Sequence, residues 1–431
     1  MNQDLLQKFQ IAYQDLDLFP LIEPKMIEKF RVEYGREVLV RLKQEVDAGT
    51  KDSKVVFAGH RGCGKSTLLK KFSVEMQPKY FTVFFSIADL VEQSAVSHTN
   101  ILYAMGVMLL SQATKTNIDI AEDIREILLG WTNTKQKQIT ATATKSETGI
   151  GTDFLKVITL KLQQERSFRD EVEKTFEKRI TDLVRCLDRL AVTIQLAVKK
   201  PVLVVIDDLD KLDLEVAERI YRDNLKSLFS PAFKMVMTLP VAAVQDSKIM
   251  NPLTSQGVVR VQLFPVLKFY PRKDVRQVNA IPIAKNLAIF EEVLMKRFPA
   301  GTLAPEIARK MVLLSGGVMR ELVRLGRECC TECMVQCELE PDCDSIQVND
   351  EILTIAVRNL RNDFARQIGA MNEGYSALKD VYDTLKRSQA ESFTELLHGL
   401  MVLEYENDAL WYDLHPIVLD LLKREGLVVE A

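Results

Sequence analysis

At 431 residues the chain can hold roughly two to four domains and bury a full hydrophobic core. A formal net charge of −3 excludes a whole-chain pull toward nucleic acid or an anionic membrane, and 47% hydrophobic with 27% charged residues is the balance of a globular protein in water. Seven cysteines, an odd number, fit a reducing compartment better than a disulfide framework. The polar start Met1-Asn2-Gln3-Asp4, with no apolar run near the ~18 residues a membrane helix requires, gives the expectation of a cytoplasmic protein without a transmembrane segment. No repeat of 20–50 residues is visible, which argues against a solenoid.

The first strongly patterned stretch is Val55-Val56-Phe57-Ala58, a strand-like run that empties into Gly59-His60-Arg61-Gly62-Cys63-Gly64-Lys65-Ser66-Thr67 and then into Leu68-Leu69-Lys70-Lys71-Phe72. GxxxxGKS between a strand and a helix is a phosphate loop. Its glycines let backbone amides turn toward phosphates, Lys65 reaches the β and γ phosphates, and the Ser66 hydroxyl is a ligand for Mg²⁺. The helix that opens near Lys65 adds its positive end. Residues 59–67 are therefore the candidate binding residues for ATP, with Mg²⁺ as the second cofactor. Cys63 is a spacer for which a small residue suffices, although a thiol there is open to oxidation.

Phe81 to Ile87 predicts a second buried strand, and Asn100 to Ser111 an amphipathic helix. The next ninety or so residues, about 112–200, form an insertion. In it Gln138, Thr140, Thr142, Thr144 and Ser146 alternate with Ile139, Ala141 and Ala143; after Glu147-Thr148-Gly149-Ile150-Gly151 a second run follows, Phe154 to Leu162. Together they predict a β-hairpin over 137–163. Such a hairpin serves packing or oligomer contact, probes nucleic acid, or inserts into a membrane. Lys135, Lys137 and Lys145 are few and no aromatic interleaves them, which disfavours nucleic acid. A helix from Arg166 to Val198 follows, with Val172, Phe176, Ile180, Leu183, Leu187 and Leu190 at helical spacing.

Val202-Leu203-Val204-Val205-Ile206-Asp207-Asp208-Leu209-Asp210 is an apolar strand ending in acids, a Walker B pattern. A parallel strand delivers its carboxyl end to the phosphates, so Asp207 is assigned to hold Mg²⁺ and Asp208 to polarise the attacking water. A third strand, Lys234 to Pro240, ends with Thr238 placed either to sense the γ phosphate or to cap a turn. Arg260 to Phe264 opens a further strand, closed by Pro265, and Arg260 is either a strand-start residue or an arginine finger.

From Ile283 the pattern is helical: Ile283 to Phe298, Pro305 to Leu314, and Gly317 to about Val335. Leu314-Ser315-Gly316-Gly317 looks like a transporter signature, but it follows Walker B where that signature precedes it. A glycine turn that starts a helix is the better reading, with Arg320 one turn inside and able to face phosphates. Cys330, Cys333 and Cys337 share one face of that helix, flanked by Cys329 and Cys343. They are either small core residues or metal ligands.

The C-terminal part predicts helices Asp350–Ile368, Ser376–Lys386 and Phe393–Leu403, a hairpin turning at Glu406-Asn407-Asp408-Ala409, and a last helix. Residues 389–431 hold nine acidic and two basic side chains, which argues against a phosphate-binding face. His415 before Pro416 is either a structural hydrogen-bonding residue or a nucleotide sensor.

The order of motifs resembles AAA+ ATPases, in particular the branch of the origin-recognition ATPases and the signal-transducing STAND ATPases. The residues that carry it are 59–67, 202–210, 235–240 and 315–322, with Tyr34-Gly35-Arg36-Glu37 as the leading element near the adenine. The resemblance implies an α/β fold: a P-loop NTPase parallel sheet core, a helical lid and a C-terminal winged-helix-like domain. Its segments are a helical lead-in (1–50), the core (51–270), the lid (271–345) and the winged-helix-like part (346–431). It implies Lys65, Asp208, Thr238 as first sensor and Arg320 as second sensor in catalysis, with Ser66 and Asp207 on Mg²⁺. Asp208 departs from the usual Asp-Glu pair, and its shorter reach implies slow turnover. Expected is an ATPase that switches assembly or an effector partner, possible settings being defence or signalling, as a homo-oligomer or with a protein partner. The alternative is a DNA-handling AAA+ protein such as an initiator or transposition regulator, and a third is a scaffold that binds ATP and barely hydrolyses it.

Overall fold

An uninterrupted apolar strand such as Val202-Leu203-Val204-Val205-Ile206 is stable only when both of its faces are covered, and all six residues of β3 (Val202–Asp207) are buried. In the computed structural model, which describes residues 2–130, 152–277, 279–340, 345–406 and 409–428, β3 lies inside a five-stranded sheet. The others are β1 (Lys54–Gly59), β2 (Phe81–Ser86), β4 (Lys234–Pro240) and β5 (Gln262–Phe264), in the order β2-β3-β4-β1-β5. β3 pairs in parallel with β2, from Phe81 opposite Val202 to Ser86 opposite Asp207, and with β4, from Leu203 opposite Lys234 to Ile206 opposite Met237. Parallel neighbours need crossovers, and helices supply them. This is the P-loop NTPase sheet that the motifs imply.

The described residues divide into two compact units, each discontinuous along the chain. The sheet unit comprises residues 37–58 and 68–263. Its core gathers Val83, Phe85, Val204 and Ile206 from the sheet with Leu102 and Tyr103 of the helix His98–Lys115 and Leu187 and Leu190 of the helix Ile180–Val198. Lys234, at the start of β4, is buried, and its ammonium donates to the carbonyls of Val46 (2.7 Å), Gly49 (2.7 Å) and Thr50 (2.8 Å). A cation thereby closes the carbonyl end of the helix Arg36–Ala48, where the backbone lacks intrahelical donors.

The insertion departs from the hairpin expectation. The run expected as the second arm is the helix Thr152–Gln164, which buries Leu155, Ile158 and Leu162 at helical spacing. The apolar residues of Phe154–Leu162 satisfy a period of 2 and of 3.6 over so short a span, and burial against neighbouring helices selects the second. The first arm, Gln138–Ser146, lies outside the described residues. The long helix expected over Arg166–Val198 is two, Arg166–Phe176 and Ile180–Val198, joined by a 3-10 turn at Glu177–Arg179.

The other unit, called here the lid unit, comprises residues 1–36, 59–67 and 264–431. It contains the helices Ala284–Met295, Pro305–Leu314 and Met319–Leu339, then Asp350–Gly369, Gly374–Thr384, Phe393–His398 and Pro416–Arg424. The helix expected to run to Leu403 stops at Gly399, and Val402 and Leu403 belong to β6 (Val402–Glu406), paired antiparallel with β7 (Leu410–Leu414). Cys329, Cys330, Cys333 and Cys337 are buried, and burial pushes the first three thiols up, the Cys330 thiol to about 12. They pack as small apolar side chains. Cys343 lies outside the described residues. Among the described residues no helix is long and apolar enough to cross a membrane.

Gly317 sets the angle at which the helix Met319–Leu339 begins. Its φ is +82°, and a Cβ there would lie 1.7 Å from the Leu267 carbonyl oxygen. Gly317→Ala is expected to cost at least ~2 kcal/mol, read as a lowered melting temperature of the full chain.

Candidate nucleotide site: a phosphate loop and an acidic turn

In the lid unit, residues 59–67 form the loop that β1 runs into. Lys65 is buried, and its ammonium donates to the carbonyls of Gly59 (2.8 Å) and His60 (2.7 Å), so the loop curls around its own cation. Gly62 has φ +77°, and a Cβ there would meet the Arg320 Cβ at 2.2 Å. That approach is used: the Arg320 backbone N–H donates to the Gly62 carbonyl at 2.9 Å, while the Arg320 side chain is exposed. The expected second-sensor arginine is thus fastened to the loop by its main chain with its guanidinium left available.

His60 is held from a distant part of the sequence. Its Nε2 accepts the backbone N–H of Glu404 on β6 at 2.8 Å, which places the ring proton on Nδ1. Burial, with Lys65 and His398 nearby, pushes His60 down to about 3, so the ring is neutral. Cys63 is buried with its thiol toward the Phe264 carbonyl (3.9 Å), as befits a spacer. The Thr67 hydroxyl accepts the Leu21 N–H at 3.2 Å, and Arg61, Gly64 and Ser66 are half-buried. Tyr34, from the leading element, donates its hydroxyl to the Pro265 carbonyl at 3.0 Å and packs on Phe264. His415 is fully buried, its Nδ1 accepting the Ile417 N–H at 3.2 Å to cap the last helix, its ring against Phe364. This is the structural role.

In the sheet unit, β3 ends in a buried acidic turn. Asp208 adopts φ +68° and starts the 3-10 turn Leu209–Lys211, which brings carboxylate oxygens of Asp207, Asp208 and Asp210 within 4.8 Å of one another. Ser86, opposite Asp207 on β2, donates its hydroxyl to Asp208 Oδ2 at 2.7 Å, and the Lys211 ammonium lies 2.7 Å from Oδ1. Burial, then the charge of Asp208, pushes the Asp89 carboxyl up. Thr238 is fully buried at the end of β4: its hydroxyl oxygen accepts the N–H groups of Leu209 (2.9 Å) and Asp210 (3.3 Å), and its carbonyl accepts the Tyr221 hydroxyl (2.6 Å). Thr238 therefore fixes the turn that carries the acids. Arg260 is exposed ahead of β5, near Glu45.

Sequence reasoning gave no role to Ser86, Asp210 or Lys211. Asp210 and Lys211 follow the acidic pair directly, and Ser86 is the polar end of an otherwise apolar strand, so each carried a signal. The donor types fit the cofactors. Clustered buried carboxylates are hard oxygen donors of the kind Mg²⁺ takes, and a glycine loop wrapped on a buried lysine is a phosphate cradle.

Residues 44–237 match the KAP family P-loop domain, just under half of the chain. The chain carries a P-loop NTPase domain. No curated protein sequence matches it. Among solved structures the chain is similar to Cdc6p from Pyrobaculum aerophilum at 12% identity and TM-score 0.39, over 95% of this chain and 97% of that one. It is similar to a Walker-type ATPase of Pyrococcus abyssi at 12% identity and TM-score 0.44, over 95% and 99%. The Orc1 protein of Aeropyrum pernix, solved in complex with DNA, matches at 13% identity and TM-score 0.40, over 94% and 96%. These likenesses are distant, and the site rests on its own geometry.

The buried histidines make stability depend on pH. Burial pushes both His60 and His415 from 6.5 to about 3, so between about pH 3 and 6.5 these two side chains bind more protons in the unfolded chain than in the folded one. The melting temperature should therefore fall as pH drops from 7 toward 4, and His60→Gln should flatten that slope. Thr238→Val leaves two buried N–H groups without an acceptor and should cost ~1–3 kcal/mol in denaturant unfolding, with Thr238→Ser close to wild type.

Proposed function

We propose that this P-loop NTPase is an ATP-dependent switch that hydrolyses ATP slowly and acts on its own assembly or on a protein partner. The observation that carries the reading is the Glu404 N–H to His60 bond, together with the Arg320 N–H to Gly62 bond: two of the loop's own residues hold the lid unit's hairpin and its longest lid helix. A loop used only to bind nucleotide needs neither. When phosphates engage Lys65, its bonds to the Gly59 and His60 carbonyls give way, and the peptide that carries His60 has to adjust.

In this reading residues 59–67 take the triphosphate, and Ser66 and Asp207 hold Mg²⁺. Bound Mg²⁺ supplies neutralisation of the phosphate charge. Asp208 polarises the attacking water, Thr238 keeps the acidic turn in place and Arg320 offers its guanidinium to the phosphates. Slow turnover follows from Asp208 itself, whose short carboxylate already accepts from Ser86 and pairs with Lys211. The hairpin β6–β7 with its flanking helices is read as a winged-helix-like part. Its surplus of acidic side chains suits a protein partner or a second copy of the chain better than DNA. A cytoplasmic setting, as in STAND-like signalling, completes the proposal.

Lys65→Ala should abolish ATP binding in calorimetry, and unchanged affinity would sink the reading. Asp208→Asn should keep ATP binding and lower phosphate release by ~10²–10⁴-fold. Undiminished release would remove Asp208 as the residue that activates water.

A further inference from the structure

The acidic turn of the sheet unit holds a cation of its own. Asp208 is buried, and its two carboxylate oxygens are treated differently: Oδ2 accepts the Ser86 hydroxyl at 2.7 Å, while Oδ1 is buried and accepts no hydrogen bond among the described residues. What stands against Oδ1 is the Lys211 ammonium, 2.7 Å away. The contact is one of charge without hydrogen-bond alignment, which holds less firmly than a charge-assisted bond. The 3-10 turn Leu209–Lys211, pinned by Thr238, folds the lysine back over the acid that starts it.

A carboxylate that polarises water must meet that water at about 2.6–3.2 Å from one of its oxygens. Oδ2 is committed to Ser86, and the place in front of Oδ1 is taken by the ammonium. The Lys211 side chain is 31% exposed where that of Asp208 is 9%, so the lysine lies on the solvent side of the acid, on a stem flexible enough to swing away. A second carboxylate is near. Asp89, exposed in the 3-10 turn Ile87–Asp89 after β2, is close enough to feel the charges of both Asp208 and Lys211.

We propose that Lys211 is a restraining residue, which covers the Asp208 carboxylate between turnovers and yields its place to water by moving to Asp89. The inference rests on the reading of Asp208 as the residue that polarises water, and it adds to that reading a regulation built into the turn: the lysine slows release in addition to the short reach of the acid.

The test uses the full chain. Lys211→Ala should raise kcat for ATP at least about threefold, the scale of one partly exposed ion pair, with KM within about twofold, because the lysine acts on water activation and not on nucleotide binding. Lys211→Gln, of similar length without the charge, should do the same and decides if Lys211→Ala fails to fold. Lys211→Arg, which restores the charge, should return to within about twofold of wild type. Asp89→Asn takes away the second partner and should slow the wild-type chain about threefold while leaving Lys211→Ala as it is. A readout without nucleotide follows the pair itself: acetylation of Lys211, measured by mass spectrometry, should run at least about threefold faster in the double variant Asp89→Asn, Asp208→Asn than in wild type, since the carboxylates keep the ammonium protonated and unreactive. Release by Lys211→Ala or Lys211→Gln no faster than wild type overturns the proposal. So does equal acetylation in the two proteins, or an effect of Asp89→Asn that persists in Lys211→Ala. Failure of the reading of Asp208 is a separate result: Asp208→Asn would then keep wild-type release, whatever the acetylation shows.

Discussion

The hydrogen bond from the Glu404 backbone to His60 is the constraint around which the lid unit is organised. It joins residues 344 positions apart, lies in a buried environment and requires a neutral imidazole. Glu404 sits opposite Tyr412 in the hairpin, and its N–H points away from the ladder to His60, as the Tyr412 N–H points to the Leu385 carbonyl. The strand thus spends one of its outward donors on the phosphate loop. A buried N–H left unpaired costs ~1–3 kcal/mol, so any rearrangement of His60 is felt in β6. The Arg320 N–H to Gly62 contact adds a second such tie, possible only because residue 62 has no side chain to block the approach.

The sheet unit solves a different problem, which is to hold three buried carboxylates close to one another. Its solution is backbone and hydroxyl donors: Thr238 holds the turn, Ser86 donates to Asp208, and Lys211 supplies one cation. The left-handed φ of Asp208 is what bends the chain at the strand's end, and the two N–H groups gathered by Thr238 keep that bend from relaxing. Threonine at this position thereby acts on the acids through the main chain that carries them.

Much of this was legible in the sequence where the signal is local. β1 and the loop, β3 and its acids, and β4 with Thr238 at its polar end are contiguous patterns whose physics is settled within ten residues. The helix Thr152–Gln164 was misread because its apolar residues fit two periods, and only burial of Leu155, Ile158 and Leu162 decides between them. Other features were invisible for a different reason. The partner of Thr238 lies 29 residues away and that of His60 on a hairpin at the far end of the chain, and neither distance leaves a mark on composition or spacing. The histidine inside the phosphate loop gives no signal of its own in the sequence until its acceptor role is seen.

The most direct test of the account is amide hydrogen exchange at β6 in the full chain with and without saturating ATP and Mg²⁺. Because the Glu404 N–H is protected by His60 and not by the hairpin ladder, the account predicts faster exchange at Glu404 when ATP is bound, with no change in Lys65→Ala. Exchange at Glu404 that stays the same in the wild-type protein at saturating ATP would contradict it.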